Sequence, residues 1–220
     1  GGQGDDGQVL TSTGSGVAFE DAAGGGPTFK TFGTSSIMVG DDATGTIDAA
    51  NYNTGLGVDV FAALTSGDGN TAVGFQTLAA NTSGGKNTAV GQDALKLNTT
   101  GIENTAFGYK CLDAVVTGNY NCGFGKSTLG GTTGSNNSAF GAGSMASNVG
   151  GGDNTAFGYA ALNGNTSAVK NTAVGYNAMV ANTTGTANAA LGALALDATT
   201  SGSYNTAIGY GTLTANTTGH

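Results

Sequence analysis

Large apolar residues return in this chain at two linked places, and the polar residues between them return with them. A nine-residue phrase starts at Asn70, Asn87, Asn104, Asn121, Asn137, Asn154, Asn171, Asn188 and Asn205, with steps of 17 residues except for one of 16. It reads NTAVGFQTL at 70–78, NTAFGYKCL at 104–112 and NTAIGYGTL at 205–213. The averaged unit is N-T-A-h-G-x-x-A-L-x-x-N-T-T-G-x-x, where h is large and apolar. Seventeen residues cannot bury a core alone, so each unit must lean on its neighbours, which defines a solenoid. Short strands separated by Gly and Asn fit this spacing, and two fixed Gly positions leave no room for a helical hairpin.

The fourth position holds Val73, Val90, Phe107, Phe124, Phe140, Phe157, Val174, Leu191 and Ile208. The ninth holds Leu78, Leu95, Leu112, Leu129, Met145, Leu162, Met179, Leu196 and Leu213. Both columns are expected to fill the interior, one large residue from each of two strands meeting across a thin core. Side chains alternate across a strand, so the third position should face the other way. It is Ala72, Ala89, Ala106, Gly123, Ala139, Ala156, Ala173, Ala190 and Ala207. A face that accepts only a methyl or a hydrogen points to a docked second surface, most simply the same column of another subunit. A tight internal packing layer is the alternative.

Gly at the fifth position allows the strand to bend into the next side of the coil. The leading Asn column predicts amide ladders along the axis, and the Asn-Thr-Thr-Gly family predicts the second corner. Counting back from Asn70 reaches Asn53 and then Ser36, two degenerate first coils that occupy 36–69. The regular repeat occupies 70–220. The fold expected is all-β, a parallel β-roll or β-solenoid of about eleven 17-residue coils. Residues 1–35 read as a Gly-rich linker or shaft junction, with strand-like character in GQVLTSTGSGVAFED.

Composition sharpens this picture. There are 42 Gly, one Pro, no Trp and 9% charged residues, against about 25% charged in ordinary globular domains. The net charge of −8 collects before residue 69, and the regular repeat is neutral. No basic stripe suggests nucleic acid, and no apolar run suggests membrane insertion. The chain starts on Gly1 without a leader and reads as an internal fragment or processed product.

Catalytic chemistry needs a converging acid, base or nucleophile, and the one histidine is the terminal His220. No enzyme activity, cofactor or metal is expected. Asp41-Asp42 and Asp5-Asp6 could hold a loose cation, but solvated turn acids explain them. Cys111 and Cys122 read as small-residue substitutes, and the Asn-x-Ser/Thr sites at Asn81, Asn98, Asn165, Asn182 and Asn216 coincide with the corner motif. The sixth position carries Tyr109, Tyr159, Tyr176 and Tyr210. These are either a platform for stacking sugars or covers for the groove between coils.

The segments NTAVGYNAMVANTTG (171–185) and NTAFGYAALNGNTSAVKNTAVGY resemble the repeats of phage tail-fibre-domain proteins. They are also similar to the shorter repeats of trimeric autotransporter adhesin heads. The resemblance implies a left-handed parallel β-roll assembled as a homotrimer, with the Ala/Gly column facing the trimer axis. It implies a structural fibre segment that supports host-surface attachment, located in the virion or at a cell surface, with host surface glycans as possible partners. A bacterial surface adhesin and an ice-binding solenoid, the latter from the Thr column at the second position, are the rivals.

Overall fold

A computed structural model of the chain describes residues 8–12, 17–21, 28–30, 36–40, 49–131 and 133–219, with only the backbone described for the first three strands. Strands β1 (Gln8–Ser12) and β2 (Val17–Asp21) form an antiparallel hairpin. Strand β3 (Thr28–Lys30) pairs antiparallel with β4 (Ile37–Gly40). From β4 onward every strand pairs parallel with the next. These are β5 (Thr54–Leu56), β6 (Thr71–Val73), β7 (Thr88–Val90), β8 (Thr105–Phe107), β9 (Cys122–Phe124), β10 (Ser138–Phe140), β11 (Thr155–Phe157), β12 (Thr172–Val174), β13 (Ala189–Leu191) and β14 (Thr206–Ile208). Among the described residues this makes eleven parallel strands in a β-solenoid of about ten turns. At the usual strand spacing the rod is about 50 Å long. The degenerate coils are part of it, since Ile37–Val39 pair in register with Thr54–Leu56.

Each strand sets the same three repeat positions in register, so Thr71 stacks on Thr88 and Ala72 on Ala89. The backbone between strands is bonded along the rod as well. Asp93 N–H donates to Phe75 O in the preceding coil, Leu95 N–H to Cys111 O in the following one, and Glu103 N–H to Gly85 O. All three donors have φ between 49° and 59°, and the seventh, ninth and seventeenth positions repeat this left-handed conformation in coil after coil. A non-glycine residue there costs about 1–2 kcal/mol. It is tolerated because the conformation turns the N–H parallel to the rod axis, where a neighbouring coil supplies a carbonyl. The fifth position is more demanding. Gly108 has φ +136°, and a Cβ there would come within 2.5 Å of Gly125 O, so only glycine fits.

The interior reverses one sequence expectation. The ninth-position Leu and Met residues from Leu78 to Leu196 are fully buried, with only the last coil's Leu213 exposed, but the fourth-position apolar column is not buried. The third-position residues Ala72, Ala89, Ala106, Gly123, Ala139, Ala156, Ala173, Ala190 and Ala207 lie inside the roll. They are not on an outer face, and they cannot touch another subunit while the roll is closed. The reason is width. A coil this small holds one row of large side chains, and the strand opposite must present a methyl or less. A Cβ added to Gly123 would lie 2.2 Å from Leu112 Cδ1 and 2.7 Å from Cys111 Sγ. Where Phe61 replaces the usual Leu, the third position becomes Gly55, and its added Cβ would be 3.2 Å from Phe61 Cδ2. Bulk on one wall is compensated by its loss on the other.

Two Asn ladders run beside this core. In the first, Asn87 donates its backbone N–H (2.9 Å) and its Nδ2 (3.1 Å) to Asn70 Oδ1, and Nδ2 also reaches Gly101 O at 2.9 Å. The pattern starts on Ser36 Oγ, which accepts Asn53 N–H, and reaches Asn205. It continues through the short coil, where Asn137 still donates to Asn121 Oδ1. Thr133 there bonds the thirteenth-position Val149 O, and Gly134 O accepts Asn121 Nδ2. The residue missing from this coil is therefore the exposed fourteenth. The second ladder, at position twelve, is interrupted. Asn98 Nδ2 donates to Asn81 Oδ1, but Val115 follows, and Asn98 Oδ1 is buried without a partner. Asn182 Oδ1 is likewise unpartnered beside Thr199, and so is Asn165 Oδ1 although Asn182 follows it.

Asn104→Ala should lower stability by about 3 kcal/mol, because it strips partners from Asn121, Gly118 O and Asn87 Oδ1 together. Hydrogen exchange should locate the loss in the coils on either side of residue 104.

Candidate functional site

The outer face of the parallel sheet is built from the second and fourth positions of each coil, since Ala at the third points inward. Its second column is Thr-rich, with Cys122, Ser138 and Ala189 as interruptions. Its fourth column is an apolar ladder that stands outside the roll. Leu191 is 52% exposed, Phe157 57% and Ile208 69%. In the middle of the rod the ladder becomes aromatic. Phe107 and Phe124 stack with ring centroids 4.9 Å apart and planes 1° from parallel, and Phe124 and Phe140 follow at 5.0 Å. Phe157 extends the stack at 5.7 Å. Parallel in-register pairing brings these rings together, because residues one repeat apart are neighbours on adjacent strands. No charged residue occupies either column from Ile37 to Ile208.

Beyond the Gly bend, the sixth position forms a corner next to this face. Tyr109, Tyr159, Tyr176 and Tyr210 are all exposed, as are Phe75 and Lys126. Tyr159 and Tyr176 stack at 5.6 Å with planes 13° apart. The two rings stack along the rod axis while both residues remain exposed. The members of both columns are legible in the sequence, but the apolar column, expected inside, lies outside. The signal that could have corrected this is the small third column, which marks the wall facing Leu.

The remaining chemistry is sparse. Among the described residues no three His, Cys, Asp or Glu side chains converge to hold a metal, and no helix is long and apolar enough to cross a membrane. Asp5-Asp6 and Asp41-Asp42 lie outside the described residues. Asn81, Asn98, Asn165 and Asn182 are fully buried, and each donates Nδ2 to a corner carbonyl. They are closed to glycan attachment. Cys111 and Cys122 are free thiols. Cys111 sits in the eighth-position wall of the core, and burial pushes its pKa up to about 12. Cys122, on the outer sheet face, is also raised by burial.

No family model, curated protein or solved structure matches the chain.

The Cys111 shift sets a pH dependence. A thiol that ionises at 9.0 when unfolded and near 12 when folded keeps its proton in the native state while the unfolded state loses it. Its contribution is complete below pH 9.0 and is lost as pH rises toward about 12, at up to about 1.4 kcal/mol per pH unit. Cys111→Ala, which installs the residue that several other coils use, should flatten the alkaline fall in melting temperature relative to the parent. Identical alkaline profiles would contradict a buried neutral thiol.

Proposed function

We propose that this chain is a structural segment of a homotrimeric fibre of the phage tail-fibre type, which carries and spaces an attachment element and supports adhesion to a host surface. The observation that carries the reading is the uncovered apolar ladder. The outer sheet face is about 10 Å wide and about 50 Å long, roughly 500 Å². The apolar ladder takes one side of this face and the Thr column the other, and an apolar stripe of a few hundred Å² on a soluble protein is often an interaction site. A second and third copy of the same chain suit it best. Each offers an equally uncharged, equally periodic face, and cyclic closure leaves no ladder open. The resemblance to tail-fibre and trimeric adhesin repeats supports three copies and a left-handed coil. A bacterial surface adhesin would use the same assembly.

The interface in this reading is the fourth-position column, with Phe107, Phe124, Phe140 and Phe157 at its centre, and the Ala column serves the fold of each roll. The glycan role falls to the tyrosine corner. One observation favours a second reading. The Thr column also lies outward on a regular parallel sheet, the geometry of an ice-binding face.

Light scattering should give three times the 21.1 kDa chain mass. Phe124→Glu combined with Phe157→Glu should yield folded monomers, weakening assembly by at least about a hundredfold, since removing central anchors costs about 2–4 kcal/mol. Ala156→Glu should instead unfold the roll, because it puts a charge against the core. A monomeric parent would end the fibre reading. Thermal hysteresis from that monomer would establish the ice-binding one.

A further inference from the structure

The regular repeat contains five lysines, Lys86, Lys96, Lys110, Lys126 and Lys170, and they are not equivalent. Lys86 Nζ pairs with Glu103 Oε1 at 3.2 Å. Lys96 Nζ pairs with Asp93 Oδ1 at 3.1 Å and also donates to Gln76 Oε1 at 2.6 Å. Lys110 and Lys126 form no ion pair among the described residues. Both instead converge on one side chain. Their ammonium groups lie 5.6 Å and 6.0 Å from the centroid of the Tyr109 ring.

The fold produces this convergence. Lys126 occupies the sixth position one coil beyond Tyr109, and Lys110 is the next residue in sequence. The backbone is fixed at both points, since Ser127 N–H donates to Tyr109 O at 2.9 Å and Lys110 N–H to Gln92 O at 3.0 Å. Both lysines therefore reach over a ring that is 42% exposed, two residues along from the Phe107 and Phe124 stack. Cation–π attraction at an exposed ring is worth about 0.5–1 kcal/mol and fades near 6 Å. It biases where the ammoniums sit without neutralising them, and their N–H donors stay open to a ligand. The carboxylate felt by Lys110 is Asp113, which is partly buried one turn of backbone away and forms no ion pair with it.

We infer that Tyr109, Lys110 and Lys126 form a binding site for an anionic sugar, a pyranose ring bearing a carboxylate or a sulfate. The apolar edge of the pyranose packs against Tyr109, and the ammoniums of Lys110 and Lys126 hold its acid group. At Tyr159, Tyr176 and Tyr210 no such lysine pair is present among the described residues, so those tyrosines offer stacking without charge. The inference deepens the surface-attachment reading and rests on it, because it names the class of glycan that one coil prefers.

The test titrates the full chain with sialyllactose, trigalacturonate and a sulfated disaccharide, with lactose as the neutral reference, at low salt. Saturable binding of an acidic sugar at least about tenfold tighter than lactose is expected, one good charge contact being worth about that factor. Lys110→Gln combined with Lys126→Gln should remove this preference, and Lys86→Gln should leave it intact. Preference for trigalacturonate and sialyllactose would identify the acid as a carboxylate, and preference for the sulfated disaccharide as a sulfate. Equal binding of acidic and neutral sugars, absence of saturable binding, or unchanged binding in the double variant would overturn the inference. Mass measured on the same samples separates the cases. A trimer without acidic-sugar preference fails this site alone, and a monomer that binds acidic sugar fails the fibre reading alone.

Discussion

Everything in this molecule depends on hydrogen bonds that run along the rod rather than across it. Each coil is too short to bury a core, so its backbone donors and acceptors must be met by the coils before and after. The first Asn ladder fixes the register. One Oδ1 accepts both the N–H and the Nδ2 of the next rung, and Nδ2 closes the corner carbonyl. A slip of one residue along the stack would leave several such groups buried and unpaired at every corner. That explains why the short coil loses a residue from its exposed fourteenth position and keeps its Asn. It also explains why leucine and methionine accept a left-handed backbone at position nine. The conformation is locally unfavourable, but it aims an amide at the neighbouring coil.

The period, the strands and the two corners were legible in the sequence because each is a repeated one-residue signal. Asn70 and its successors announced a ladder, and Gly74 and its successors announced a bend that no side chain survives. What misled was the equation of large apolar residues with the interior. Alternation along the strand says only that Ala72 and Val73 face opposite sides. Which side is inward depends on the width of the roll, and the opposite wall sets that width. Leu78 and its equivalents fill the lumen, so a second large column has no volume to enter. The exchange of Phe61 for Leu beside Gly55 was readable as a compensation, but only once the two positions were known to touch. The degenerate coil at Ser36 was found by counting, whereas the antiparallel strand Thr28–Lys30 that extends the sheet upstream carries no repeat to count.

The outward apolar column changes what the surface means. An interior stripe of Phe, Val, Leu and Ile would concern stability alone, and the exterior would be an inert coat of Thr and Asn. With the ladder outside, the rod carries a continuous, uncharged and flat-sided face whose repeat matches that of any identical rod laid alongside it. Aromatic stacking in the middle coils adds stiffness to this face, because each Phe is held by the rings above and below as well as by its own backbone. Burying such a face between copies removes apolar area from water along the full length of the rod. The driving force then grows with the number of coils, which suits a fibre better than a compact receptor.

The two corners differ in a way that assigns them different work. The first keeps Asn from Asn53 to Asn205 without a gap, and all its members are buried. The second admits Val115 and Thr199 and leaves Asn98, Asn165 and Asn182 with unpaired oxygens. Next to it lies the exposed fourteenth position, where the one-residue deletion also falls. Variation is tolerated at this corner because its backbone is already tied to the next coil, Thr99 N–H to Val116 O and Thr183 N–H to Thr200 O. The lysines that converge on Tyr109 follow the same logic at the sixth position. It lies just outside the constrained strand, so it can change between Tyr, Gln, Lys and Ala without cost to the stack. Specific recognition in a rod of this kind belongs at such positions, where the ladder holds the backbone in place and leaves the side chain free to vary.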